Sequence, residues 1–133
     1  MTSKILAKKI AHLTLTKKAS NVLVMDLRKL TSMTDFFVVC SADTDTQVKA
    51  IADAVVERLE EDGIKVWHNE GISQLRWVLL DYVEVVVHIF QKRVRQFYNL
   101  EKLWGDAKFE QVEDTALARK HRGSPVVKKR TKA

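Results

Sequence analysis

Four residues in one apolar stretch carry groups that could do chemistry. They are Trp77, Asp81, Glu84 and His88 of "RWVLLDYVEVVVHIF", Arg76 to Phe90. An imidazole between carboxylates suits proton transfer or metal binding. An indole among a few charges suits a face that grips a partner. A zinc site needs about four converging ligands, commonly in closely spaced pairs. The histidines His12, His68, His88 and His121 are scattered, and Cys40 is the single cysteine, so neither a metal nor a cofactor is expected. Cys40 lies in an apolar run, where a thiol is usually inert. The four glycines are far apart and form no phosphate-cradling loop.

"GISQLRWVLLDY" is similar to the nucleotidyltransferase pattern, a Gly-Ser before a strand bearing Asp-x-Asp. That reaction needs two carboxylates two residues apart, on one face, to hold divalent metal. Asp81 would be the first, but the second position is Val83, and Gly71 and Ser73 are separated by Ile72. The catalytic set is incomplete, so the chain is not expected to be an enzyme.

The stretch reads as two strands and a tight turn. With Tyr82 and Val83 as the turn, Trp77 would oppose His88, Leu79 would oppose Val86, and Asp81 would face Glu84. Alternation then gives one aliphatic face of Val78, Leu80, Val85, Val87 and Ile89, which must lie under helices. The other face carries Trp77, Leu79, Asp81, Glu84, Val86, His88 and Phe90. Upstream, Ile5, Leu6, Ile10 and Leu13 recur at helical spacing over residues 3–18. "NVLVMDL" and "DFFVVCS" read as strands, apolar at consecutive positions and therefore covered on both faces. Val48, Ile51, Ala52, Val55 and Leu59 stripe a second helix, which Asp43, Thr44 or Asp45 can cap and Gly63 can end. "IKVW" reads as a short strand, and residues 92–104 read as one helix. The expected order is α-β-β-α-β-β-β-α, a mixed five-stranded sheet with packed helices.

The 133 residues suggest one domain, and 46% hydrophobic with 30% charged residues is a globular composition. One cysteine excludes an internal disulfide and favours a reducing compartment. No secretory signal or membrane span is expected, which points to the cytoplasm. The formal charge is +6, but Arg119, Lys120, Arg122, Lys128, Lys129, Arg130 and Lys132 face no acid after residue 118. Setting those seven aside from the 23 Lys and Arg leaves 16 basic against 17 acidic residues. The expected division is a nearly neutral body, 1–107, and a basic, disordered tail, 108–133, which serves either as a solubilising end or as an electrostatic tether to RNA.

Taken in order, "TDFFVVCS", "TQVKAIADAVVERLEEDG", "NEG", "WVLLDYVEVVVHIF" and "RQFYNLEKLWGDA" resemble the ribosomal silencing factor family, also called RsfS or Iojap. The resemblance covers Ile5 to Ala107. It implies a nucleotidyltransferase-like α/β fold without enzymatic activity. It also implies binding to ribosomal protein fourteen on the intersubunit face of the large subunit. A factor seated there blocks subunit joining and represses translation. Carried over by motif, the partner-binding patch would be Trp77, Leu79, Asp81, Val86 and His88 on the sheet, with Tyr98, Leu100, Glu101 and Trp104 on the last helix. The same patch could close a homodimer, and the tail could reach ribosomal RNA. The alternatives are a general RNA-binding module working through the tail, and a nucleotidyltransferase with displaced ligands. The chain departs from the family at the turn, usually Asp-x-Gly-Asp and here Asp81-Tyr82-Val83-Glu84. Valine avoids positive φ, so a turn of the glycine type is not expected.

Overall fold

The computed structural model describes residues 1–96 and 99–113 and the backbone of 97 and 129–130. Thr2 caps the first helix, α1 (Ser3–Leu15), by accepting a hydrogen bond from the Ile5 N–H at 3.2 Å. Two strands follow, β1 (Ser20–Asp26) and β2 (Phe36–Ala42), paired antiparallel and buried on both faces over their middles. Helix α2 (Asp45–Glu61) starts at Thr44, whose hydroxyl accepts from the Gln47 N–H at 3.1 Å. It ends at Gly63, with φ of 80°. There the Gly63 N–H bonds Glu60 O and the Ile64 N–H bonds Leu59 O, the paired closure that a left-handed glycine permits. The remaining elements are β3 (His68–Glu70), β4 (Trp77–Asp81), β5 (Val85–Gln91), α3 (Lys92–Phe97), α4 (Leu100–Leu103), β6 (Lys108–Val112) and β7 (Lys129–Arg130).

The strands form one mixed sheet in the order β3-β4-β5-β2-β1-β6-β7, with β2 and β5 parallel and the other pairs antiparallel. Helices α1 and α2 cover one face, burying Val78, Leu80, Val85, Val87 and Ile89 completely against Ile10, Ile51 and Val55. Burial of such side chains contributes roughly 1.5–3 kcal/mol each. On the other face, α3, α4 and the following turn cover only the centre. There Met25, Val39, Phe90 and Leu100 form a second, smaller core.

The sheet therefore has seven strands, not five. "IKVW" is not a strand: Ile64 and Val66 pack on the core without joining the ladder, and the edge strand is the exposed His68–Glu70. The sheet also continues past residue 107, where the sequence suggested the folded body ends. β6 pairs with β1 from Asp26↔Lys108 to Val22↔Val112 and buries Phe109 in the second core. Within the stretch expected to be a disordered tail, Lys129 and Arg130 pair with Glu110 and Phe109. The single helix expected over 92–104 is broken into α3 and α4. Asn99 adopts a non-helical φ of −79° and ψ of 87°, and its side-chain Oδ1 caps α4 by accepting from the Lys102 N–H at 3.1 Å.

Candidate functional site

The β4–β5 hairpin positions most of the candidate residues. Its observed register pairs Trp77 with Phe90, Leu79 with His88 and Asp81 with Val86. This is two residues from the expected pairing. Because side chains alternate with period two, a two-residue shift leaves every residue on its expected face. The shift comes from the turn. The Tyr82 N–H bonds Val85 O, and the Glu84 N–H bonds Tyr82 O across Val83, whose φ is 72°. A valine thus sits in the region that glycine prefers, contrary to the expectation for this turn. Asp81 helps hold it there, since its Oδ1 accepts from the Val83 N–H at 2.7 Å.

His88 is buried in the sheet, 4% exposed. Its Nδ1 accepts from the Trp77 indole N–H at 3.1 Å, which leaves the imidazole proton on Nε2. Burial pushes the imidazole pKa down to about 3, so the ring is neutral near pH 7. Trp77 is half-buried and stacks on Phe90, with ring centroids 4.8 Å apart. Phe37 meets the His88 ring edge-on at 4.5 Å and Trp104 at 6.0 Å. Beneath Trp77 the backbone is tight. Gly71 has φ of 83°, and a Cβ there would lie 2.0 Å from Trp77 O, so only glycine fits.

Between the hairpin and Trp104 the uncovered part of this face forms a hollow of about 520 Å³. Phe37, Trp67, Leu79, Val86, His88 and Trp104 line it, with Met33 and Val83 at its margin. Its charged lining residues are Glu70 and Asp81, with no lysine or arginine. Met33 and Trp67 are 86% and 72% exposed, high values for large apolar side chains. Two buried polar atoms in residues of its wall, Thr34 Oγ1 and His88 Nε2, have no hydrogen-bond partner among the described residues.

The structure thus brings Leu79, Asp81, Val86, His88 and Trp104 together at the hollow, with Trp77 behind His88. Leu100 is in the second core. Glu101 lies on the far side of α3 and α4, in a polar cleft, 3.3 Å from Arg95 Nη2. Arg95 also donates to Asn21 O at 2.7 Å and Ser41 Oγ at 2.8 Å. Tyr98 lies outside the described residues, as do Arg119, Lys120, Arg122, Lys128 and Lys132. The side chains of Lys129 and Arg130 do as well. Sequence reasoning missed Met33, Phe37 and Trp67. Phe37 was within reach, since it shares the alternation of "DFFVVCS" with Val39. Trp67 and Met33 sit in loops whose course no periodicity reveals. Among the described residues no group of three or more His, Cys, Asp or Glu could hold a metal ion. None of the helices there is long and apolar enough to cross a membrane.

The fold is thus a mixed α/β sheet with one face half open and aromatic. The model of the family described as "Ribosomal silencing factor during starvation" matches residues 1–133, and the chain belongs to that family. It is 45% identical over 91 residues to the ribosomal silencing factor RsfS of Bacillus subtilis, covering 68% of this chain and 77% of that one. It is 43% identical over 97 residues to the RsfS of Halalkalibacterium halodurans, covering 73% and 83%. A crystal structure of a protein from Chromobacterium violaceum superposes with a TM-score of 0.76 at 34% identity, covering 79% of this chain and 88% of that one.

Proposed function

We propose that the chain is a translation repressor that docks its open sheet face on ribosomal protein fourteen of the large subunit and blocks subunit joining. The observation that carries this reading is the aromatic hollow with an acidic rim. Interface centres are rich in Trp and other aromatics and in Met. Here Trp67, Met33, Phe37 and Trp104 surround one concavity. Glu70 and Asp81 at its edge complement the basic surface expected of a ribosomal protein. A docked segment that offered an acceptor to His88 Nε2 or Thr34 Oγ1 would pair groups that have no hydrogen-bond partner among the described residues. Trp77 and Leu100 support the wall from behind. The tail adds a salt-sensitive contact to ribosomal RNA.

The test is sedimentation of the full chain with separated subunits. Selective binding to free large subunits, and fewer joined ribosomes when the protein is in excess, are expected. Equal binding to small subunits, or normal joining at saturation, would refute the reading. A homodimer closed through the hollow would show instead as a dimer that large subunits dissociate.

A further inference from the structure

We infer that the N-terminal helix and the far edge of the sheet form one composite surface for the phosphodiester backbone of RNA, at the opposite end of the sheet from the hollow. The near-neutral charge of the body conceals a segregation. The first 25 residues contain Lys4, Lys8, Lys9, Lys17 and Lys18 and no acid. Helix α1 turns its apolar side, Leu6, Ala7, Ile10 and Ala11, into the core. Lys4, Lys8 and His12, spaced by four, are all exposed on the other side. Lys4 and Lys8 are thus about 6 Å apart along the axis.

This stripe runs beside the sheet edge. Lys8 Nζ lies 3.9 Å from Glu110 Oε2 on β6. Phe109 enters the second core and Val112 packs on the first, so Lys108 and Glu110 share the α1 side of the strand. The backbone of β7, Lys129 and Arg130, pairs with Glu110 and Phe109 in register along this same edge. Lys4, Lys8 and Lys108 therefore lie on the α1 side of this edge, and the acids beside them are already offset, Glu110 by Lys8 and Asp26 by Arg28 and the facing Lys108.

The chemistry favours RNA over a bilayer. A helix that lies on a membrane needs a free apolar face, and α1 has committed its own to the sheet. The strand order places β3, β4 and β5, which carry the acidic-rimmed hollow, at one end and β6 and β7 at the other. The acidic end repels phosphates and the basic end attracts them, so the field orients the molecule on its target. This surface goes beyond the docking reading, and rests on it only for the ribosome as the source of the RNA.

The experiment measures binding of the full chain to a 16-base-pair RNA duplex by fluorescence anisotropy as KCl is raised. Lys4→Glu with Lys8→Glu is compared with Lys49→Glu and Lys65→Glu, a pair of exposed lysines elsewhere with the same change in charge. The stripe pair should lose at least tenfold in affinity at low salt, and its log–log salt slope should flatten by about 1.8, at roughly 0.9 per phosphate contact. The control pair should stay near the wild type. Equal losses in both pairs would mean that net charge alone acts, and would overturn the inference. So would an unaffected stripe pair, or tighter binding to phosphatidylglycerol vesicles than to the duplex. Melting curves accompany each variant, and Lys4→Ala with Lys8→Ala carries the test if the reversal does not fold. A wild type that shows the stripe dependence on RNA but ignores large subunits would sink the docking proposal and leave this surface standing.

Discussion

Lowering the pH from 7.5 to 5.0 should destabilise the protein by about 2 kcal/mol through His88 alone. The imidazole is neutral in the fold down to about pH 3, because burial penalises its charged form. In the unfolded chain it titrates near 6.5. Between those values the unfolded state binds one more proton than the native state, so stability falls as pH falls, by about 1.36 kcal/mol per unit well below pH 6.5. Integration from pH 7.5 to 5.0, with the partial titration near 6.5 included, gives the figure of ~2 kcal/mol. Above pH 7.5 the contribution is complete and flat. Asp26, held low mainly by its hydrogen bonds from Arg28, and Asp62, held low by Lys9, lose their contributions at more acid pH, below this window. The assay is urea unfolding at the two pH values for the wild type and for His88→Phe, whose ring can still stack among Phe37, Trp77 and Phe90. The wild type should lose about 2 kcal/mol more than the variant on acidification. The same pH dependence in both would refute a neutral, buried His88 with its Nδ1 held by Trp77.

Three further outcomes follow from the geometry. Val83→Gly should stabilise the protein by about 1 kcal/mol in the same urea assay, since left-handed backbone costs an L-residue roughly 1–2 kcal/mol and glycine's added chain entropy offsets only part of that; a loss of stability would show that the valine methyls pack better than their exposure suggests. Gly71→Ala should destabilise by more than about 2 kcal/mol, because the new Cβ meets backbone that no rotamer can move aside, and a melting temperature equal to the wild type would contradict that close approach. Trp67→Ala should leave melting unchanged, as the side chain is largely exposed, yet weaken binding to the large-subunit protein by about 2 kcal/mol, or thirtyfold; undiminished affinity by titration calorimetry would remove it from the site.

The parts of the fold that periodicity encodes were legible in the sequence. α1 and α2 follow from apolar residues at helical spacing, and the ends of α2 from Thr44 and Gly63. The two faces of the hairpin follow from strict alternation, and survived a two-residue error in register because the error was even. The remainder depends on competition between weak signals. β6 offers two apolar residues in "KFEQV", and only the free edge of β1 makes a strand of it. The break between α3 and α4 depends on one asparagine preferring to cap rather than continue a helix. The hollow was half legible. Leu79, Val86 and His88 lie on its sheet wall as the alternation required, but Met33 and Trp67 reach it from loops, and Glu101 was placed with them only by assuming an unbroken helix.

The hairpin's polar groups are mostly spent on structure. A general base needs an accessible lone pair and a pKa near the working pH. The His88 Nδ1 lone pair is taken by Trp77, and burial holds the ring neutral far below that range. Asp81 clamps the turn through the Val83 N–H, and Glu84 contributes its backbone carbonyl, which accepts from the N–H groups of Asp35 and Phe36. Each group fixes a neighbour: the imidazole orients the indole, the carboxylate secures a strained valine, and the carbonyl ties the hairpin to the start of β2. Such a set makes a rigid wall, and rigidity before contact lowers the entropy lost on binding. On the docking reading proposed above, a preformed wall serves better than reactive groups. The chemistry-bearing residues are therefore accounted for by the shape they hold.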